Sequence, residues 1–364
     1  MCTRGGVRVV LILVLSVAGW LWGNGGPAAM ACMPPALARN HSLLIQGLIE
    51  DVSQAQLYDT IRELQDDDAI PGWDALGSRY SFAPGLGDKR EYIRRRMEQA
   101  GLAVRDQAFR LEGTTQVNLE GTLPGWGPGE DLVYILCAHY DSKSDDPYHI
   151  APGADDNASG VAGLLEAARI LGRYRFRHTL RFVAFAAEEQ KLTGSRVYVQ
   201  AARAAGARIG GVINLDMIAW NSHGRDVVEV YARRGNGSET LGVALTDAIS
   251  AYGIALNPRY DDRAASGNSD HGNFWIEGYP AILVTDDTSV PNPYYHTTGD
   301  TLAQLDLVYA RRVVQAVVAT LAEQAEIIPP GTDDEYLGLA VATPGALGAL
   351  IPGYATPVPS RRRW

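Results

Sequence analysis

At 364 residues, with 46% hydrophobic and 20% charged side chains, the chain can bury one large core and is neither a disordered polymer nor a coiled coil. Its formal net charge is -10 and no basic stripe interrupts the acidity, so phosphate backbones are repelled and nucleic acid is not an expected partner. Cys2 and Cys32 lie in or beside the N-terminal segment and Cys137 stands alone in the body, which leaves no pair for an internal disulfide and no thiolate zinc site.

Residues 1–31 read as an export signal. Arg4 and Arg8 precede an apolar run from Val9 to about Trp22, and Ala29-Met30-Ala31 has the small-x-small pattern of a cleavage site. An uncleaved anchor is the alternative, although about 14 apolar residues are short for a span of roughly 20. Lipid modification at Cys32 is the third option. All three place the body outside the cytoplasm, secreted or in the cell envelope, with membrane contact only through this segment.

From Ser42 to Leu64, apolar residues at helical spacing predict one or two amphipathic helices, and Lys89 to Ala100 a further one ended by Gly101. Ala103 to Leu111 and Val117 to Leu123 suit a hairpin. Strand and helix then alternate. Leu132 to Ala138, Leu180 to Ala187, Gly211 to Leu215 and Ala281 to Thr285 read as strands; Ser159 to Leu171 and Thr193 to Ala204 read as helices. Val227 to Tyr231 adds a strand, Glu239 to Tyr252 a helix, and Leu305 to Ala325 a long closing helix. This alternation predicts an α/β fold with a mostly parallel twisted central sheet and helices on both faces. A domain over 42–328 is expected, followed by a Pro- and Gly-rich appendage over 329–364.

Reactive groups of a parallel sheet gather beyond the carboxyl ends of its strands. Three apolar runs here end in metal-capable residues: LVYILCA in His139-Tyr140-Asp141, LRFVAFAA in Glu188-Glu189, and GVINL in Asp216. A fourth group arrives in the loop Gly153-Ala154-Asp155-Asp156-Asn157. Taken singly, a strand-end Asp is more often a helix cap, and Glu188-Glu189 a solvated helix start. Imidazole and carboxylate converging on one rim suit zinc.

The whole set resembles the zinc aminopeptidases of peptidase family M28. The matching segments are AHYDS at 138–142, PGADDNASG at 152–160, AAEEQKLTGS at 186–195, NLDMI at 214–218, SDHGNF at 269–274 and YHTTGDT at 295–301. The resemblance implies a zinc-exopeptidase, phosphorylase-like three-layer sandwich that hydrolyses N-terminal residues from peptides with a free N-terminus. It implies two Zn2+ per chain, bridged by Asp155, with His139 and Asp216 completing one site and Glu189 and His296 the other. Attack then comes from a metal-bound water, with Glu188 as general base and Tyr295 stabilising the oxyanion. Asp141 would orient His139, and Asp156 would enter a cis peptide after the bridging Asp. Asp300 would buttress His296 or cap the helix at Thr301. Two metals about 3.5–4 Å apart polarise the scissile carbonyl and acidify a shared water. The rival expectations are a single-zinc glutaminyl cyclase, disfavoured by Asp155-Asp156 where the cyclases resemble Asp-Ser, and a non-catalytic zinc-binding module.

Overall fold

The computed structural model describes residues 35–66, 76–263 and 267–330, so the expected export segment and nearly all of the expected appendage lie outside the described residues. The chain opens with helices α1 (Pro35–Glu50), α2 (Gln54–Gln65) and α3 (Leu86–Gln99). Strands β1 (Ala103–Leu111), β2 (Thr114–Leu123) and β3 (Leu132–His139) follow, and a wide helical turn over Ala154–Ser159 leads into α4 (Gly160–Leu171). Next come β4 (Arg175–Phe176), β5 (Thr179–Phe185), α5 (Thr193–Ala204), β6 (Arg208–Leu215), β7 (Val227–Tyr231) and α6 (Ser238–Ala251). The series closes with β8 (Asn257–Asp261), α7 (His271–Ile276), β9 (Ala281–Thr285), α8 (Leu307–Gln324) and β10 (Ile327–Ile328).

Eight strands form one sheet in the order β1-β2-β5-β3-β6-β9-β7-β8. Its middle, β5-β3-β6-β9, is parallel; the β1–β2 hairpin joins β5 antiparallel, and β7 joins β9 antiparallel. The sheet is thus mixed at its flanks and parallel at its centre, as the alternation of elements requires. Alternation along β3 divides the interior in two. Leu136 and Ala138 face the larger core with α1, α2, α3, α4, α6 and α8, whereas Ile135 and Cys137 face a smaller one with Tyr198 of α5 and Phe274 of α7. Helices therefore cover both faces, and the larger core runs without a break from Ile45 to Ile327.

The elements that sequence missed are short or exposed. Every residue of β8 is at least partly exposed, which leaves no alternating apolar pattern, and α7 has only six residues. Register fixes the site. His139 pairs with Phe185 and Leu215 with Val284, so the carboxyl ends of β3, β5, β6 and β9 share one edge.

Candidate active site

Each parallel strand delivers its polar terminus to that edge. His139 ends β3, Glu188 and Glu189 follow β5, and Asp216 follows β6; His296 comes from the loop after β9. Two donor groups result, one of His139, Asp156 and Asp216 and the other of Asp156, Glu189 and His296. In the first, His139 Nε2 lies 3.2 Å from Asp156 Oδ1 and 3.4 Å from Asp216 Oδ1. In the second, His296 Nε2 lies 3.1 Å from both Asp156 Oδ2 and Glu189 Oε1.

The shared carboxylate is therefore Asp156, which corrects the expectation that Asp155 bridges the groups. The reason is local. Asp155 Oδ1 accepts from the Ala219 N–H at 2.9 Å and Oδ2 from Asn292 Nδ2 at 3.2 Å, so both of its oxygens are spent on the chain itself. The backbone leaves helical geometry at Asp156 and Asn157, and the cis peptide joins these two residues rather than Asp155 and Asp156. Asn157 secures the turn by donating to Leu215 O and accepting from Gly160 N. Gly153 enters it at φ 49°, where an added Cβ would lie 2.3 Å from Asp156 O.

The surrounding groups hold the donors in place. His139 Nδ1 donates to the main-chain carbonyl of Asp141 at 3.1 Å, leaving Nε2 with its lone pair towards the group. The Asp141 carboxylate approaches that ring only to 3.7 Å. It instead accepts from the N–H groups of Glu188 at 3.0 Å and Glu189 at 3.3 Å, tying the acidic pair to β3. Asp300 neither buttresses His296 nor caps the following turn: its two oxygens accept from the N–H groups of Asp155 at 2.9 Å and Asp156 at 3.0 Å. Buried Arg79 clamps the same loop, donating to Gly153 O at 2.8 Å, to Tyr140 O at 3.0 Å and to Leu64 O at 3.1 Å.

Ser269 donates to Asp216 Oδ2 at 2.5 Å, which leaves Oδ1 for the donor group. Asn273 joins α7 to α5 by donating to Leu192 O and Ser195 Oγ. Of the two adjacent tyrosines, Tyr295 lines the cavity with its ring stacked 3.8 Å from His296, whereas Tyr294 packs edge-on against Trp220. Arg79 and Asn157 were not anticipated as positioning groups, because main-chain partners such as Tyr140 O, Gly153 O and Leu215 O lie 58 or more residues away.

The electrostatics follow from burying so many carboxylates together. Burial, with Asp216 and Asp270 nearby, pushes the Glu188 carboxyl well above its ordinary range against the pull of His139. Burial also acts against ionisation of Asp156, but its contacts with His139 and His296 win and hold its carboxyl well below the usual range. His296 is raised to about 9, burial being outweighed by Asp156 and Glu189. The buried carboxylates thus gather negative charge that a bound cation would balance.

The donor set fits zinc. Ligands about 2.0–2.1 Å from a tetrahedral ion stand roughly 3.3 Å from one another, and the contacts here span 3.1–3.4 Å. Glu189 Oε1 is buried and receives no aligned hydrogen bond, an orphaned acceptor that a cation would satisfy. A cavity of about 310 Å3 opens beside both groups, and Glu188 lines it without belonging to either. Ala187, Met217 and His296 hold left-handed φ values of 56°, 56° and 57°, so non-glycine strain gathers around the same site.

The description "Peptidase family M28" matches residues 118–321. An uncharacterised protein of Escherichia coli is 32% identical over 260 residues, covering 65% of this chain and 80% of its own. A probable zinc metalloprotease of Pyrenophora teres f. teres is 32% identical over 318 residues, covering 76% of this chain and 66% of its own. The LapA aminopeptidase of Legionella pneumophila shares the fold with a TM-score of 0.66 at 23% identity, over 78% of this chain and 75% of that one. The matched region takes in all five residues of the two donor groups, and the chain belongs to peptidase family M28.

Proposed function

We propose that the chain is a two-zinc aminopeptidase that hydrolyses the first peptide bond of substrates with a free N-terminus. The observation that carries this reading is the Asp156 carboxylate, which turns one oxygen into each of two donor groups. His139 and Asp216 would complete one zinc site, and Glu189 and His296 the other. Zinc held there supplies a positive field that polarises the scissile carbonyl and acidifies the attacking water.

The chain's own side chains do the rest. Glu188, at the cavity wall, takes the proton from the attacking water and returns it to the leaving amine. Asp141 keeps that carboxylate in place through the Glu188 N–H. Tyr295 presents its hydroxyl to the carbonyl oxygen as that atom gains charge. Ser269 and the Asp141 carbonyl fix the faces of Asp216 and His139, so little reorganisation accompanies the reaction. We further propose that the enzyme works outside the cytoplasm, exported on residues 1–31.

The test is a panel of aminoacyl anilides and N-blocked peptides, assayed with and without added zinc, alongside metal analysis. About two zinc per chain with chelator-sensitive release of free N-terminal residues is the expected result. Turnover confined to blocked peptides refutes the aminopeptidase reading. One zinc with cyclisation of N-terminal glutamine supports the cyclase alternative instead, and zinc binding without turnover supports a binding module.

A further inference from the structure

What the cavity accepts can be taken one step further, on the basis of the aminopeptidase reading. Away from the donor groups its wall includes Tyr231 at the end of β7 and Thr288 just beyond β9, with Met217 and Leu283 as apolar lining. The Glu229 carboxylate meets both hydroxyls and is itself 7% exposed. Tyr231 Oη donates to Glu229 Oε2, Thr288 Oγ1 donates to the same oxygen at 2.8 Å, and the two hydroxyl oxygens are 2.8 Å apart.

This triangle has three oxygen–oxygen contacts and only two hydroxyl protons, because a carboxylate is an acceptor and brings no donor of its own. Both protons are consumed internally, so the wall shows a ligand lone pairs and no hydroxyl donor. Arg259 lies 3.6 Å from Glu229 Oε1 but shares its guanidinium with Asp287 at 2.8 Å, and Arg225 meets Asp287 as well. Two carboxylates thus face two guanidiniums, and the neighbouring cations are already paired. An apolar side chain pressed against the triangle leaves desolvated acceptors unmatched, whereas a donor satisfies them.

We propose that the site selects peptides whose N-terminal residue has a long side chain ending in an N–H donor. Lysine is the simplest case. Its methylenes suit Met217 and Leu283, and its head meets the acceptors of Tyr231 and Thr288, with the buried Glu229 carboxylate behind them.

The clean comparison is lysine against norleucine, which has the same carbon chain without the ammonium group. Steady-state kinetics of the zinc-loaded full chain on the two p-nitroanilides should give a kcat/KM ratio of about tenfold or more in favour of lysine. That ratio should fall towards one in Glu229→Gln and in Tyr231→Phe. Thr288→Val, isosteric and outside the sheet, serves should the Glu229 variant fail to fold. Norleucine turned over as fast as lysine overturns the proposal while leaving the aminopeptidase reading intact. An unchanged ratio in folded Thr288→Val and Tyr231→Phe also overturns it. No hydrolysis of any free aminoacyl substrate overturns the reading, and the proposal with it.

Discussion

Exchanging Asp156 for Asn separates the two tandem aspartates by function. Asp156 Oδ1 stands 3.2 Å from His139 Nε2 and Oδ2 3.1 Å from His296 Nε2, so the substitution removes an anionic donor shared by both groups. Zinc held by four protein ligands is bound with about 10–16 kcal/mol, so one ligand represents roughly 2.5–4 kcal/mol. At about 1.4 kcal/mol per factor of ten, the expected loss is roughly 100- to 1000-fold in affinity at each position. Asp155→Asn is the control. That carboxylate is committed to Ala219 N and Asn292 Nδ2, so its loss should lower stability while the zinc count persists. The assay is zinc per chain after dialysis against chromophoric chelators of graded strength, with circular dichroism to verify folding. Wild-type zinc affinity in Asp156→Asn, or loss of both ions in Asp155→Asn with Asp156 intact, refutes the assignment.

Glu188→Gln should keep its zinc and lose about 10²- to 10⁴-fold in turnover, measured by kcat on an aminoacyl anilide; near-normal activity sinks the general-base role. Gly153→Ala forces a Cβ to 2.3 Å from Asp156 O and 2.6 Å from Ser142 Cβ, at φ 49°. Both Tm and zinc affinity should fall, and a variant with wild-type values for both shows that the turn is not held as described. Asp306 caps α8 by accepting from the N–H groups of Val308 and Tyr309, so Asp306→Ala should cost about 1 kcal/mol. Burial opposes ionisation of Asp306, but Asn221, the cap N–H groups and Arg312 lower its carboxyl overall. A lowered folded value means the contribution is complete above the unfolded value of about 3.9 and fades as the pH falls through the folded one. The Tm gap between wild type and Asp306→Ala should accordingly be open at neutral pH and close in acid; a gap independent of pH contradicts the charged-cap account.

The fold was legible where burial writes a pattern. LVYILCA and GVINL are covered on both faces, and their continuous apolar runs mark β3 and β6 as central strands. The exposed β8 carries no such pattern. Within the site, a strand terminus determines which residue reaches the edge, so His139, Glu189 and Asp216 were readable from their place after apolar runs. Asp155 and Asp156 were not separable that way. They are identical side chains on consecutive residues of a non-helical turn, and their directions are set by distant partners, Ala219, Asn292 and Asp300. Asp300 shows the same limit: its partners lie 144 and 145 residues away, a contact that no local pattern encodes.

The two donor groups differ in how they are mounted. His139 ends a central strand, is 1% exposed and has its second ring nitrogen tied to Asp141, whereas the His296 side chain is 25% exposed on a loop. A cation on the His139 side would sit in a rigid, strand-mounted seat. One on the His296 side would have a door to solvent, because only loop rearrangement is needed to free that imidazole. Loading and stripping should therefore be stepwise rather than concerted. The loop-borne position should exchange first, and metal supply would tune activity through that seat while the strand-borne one remains filled.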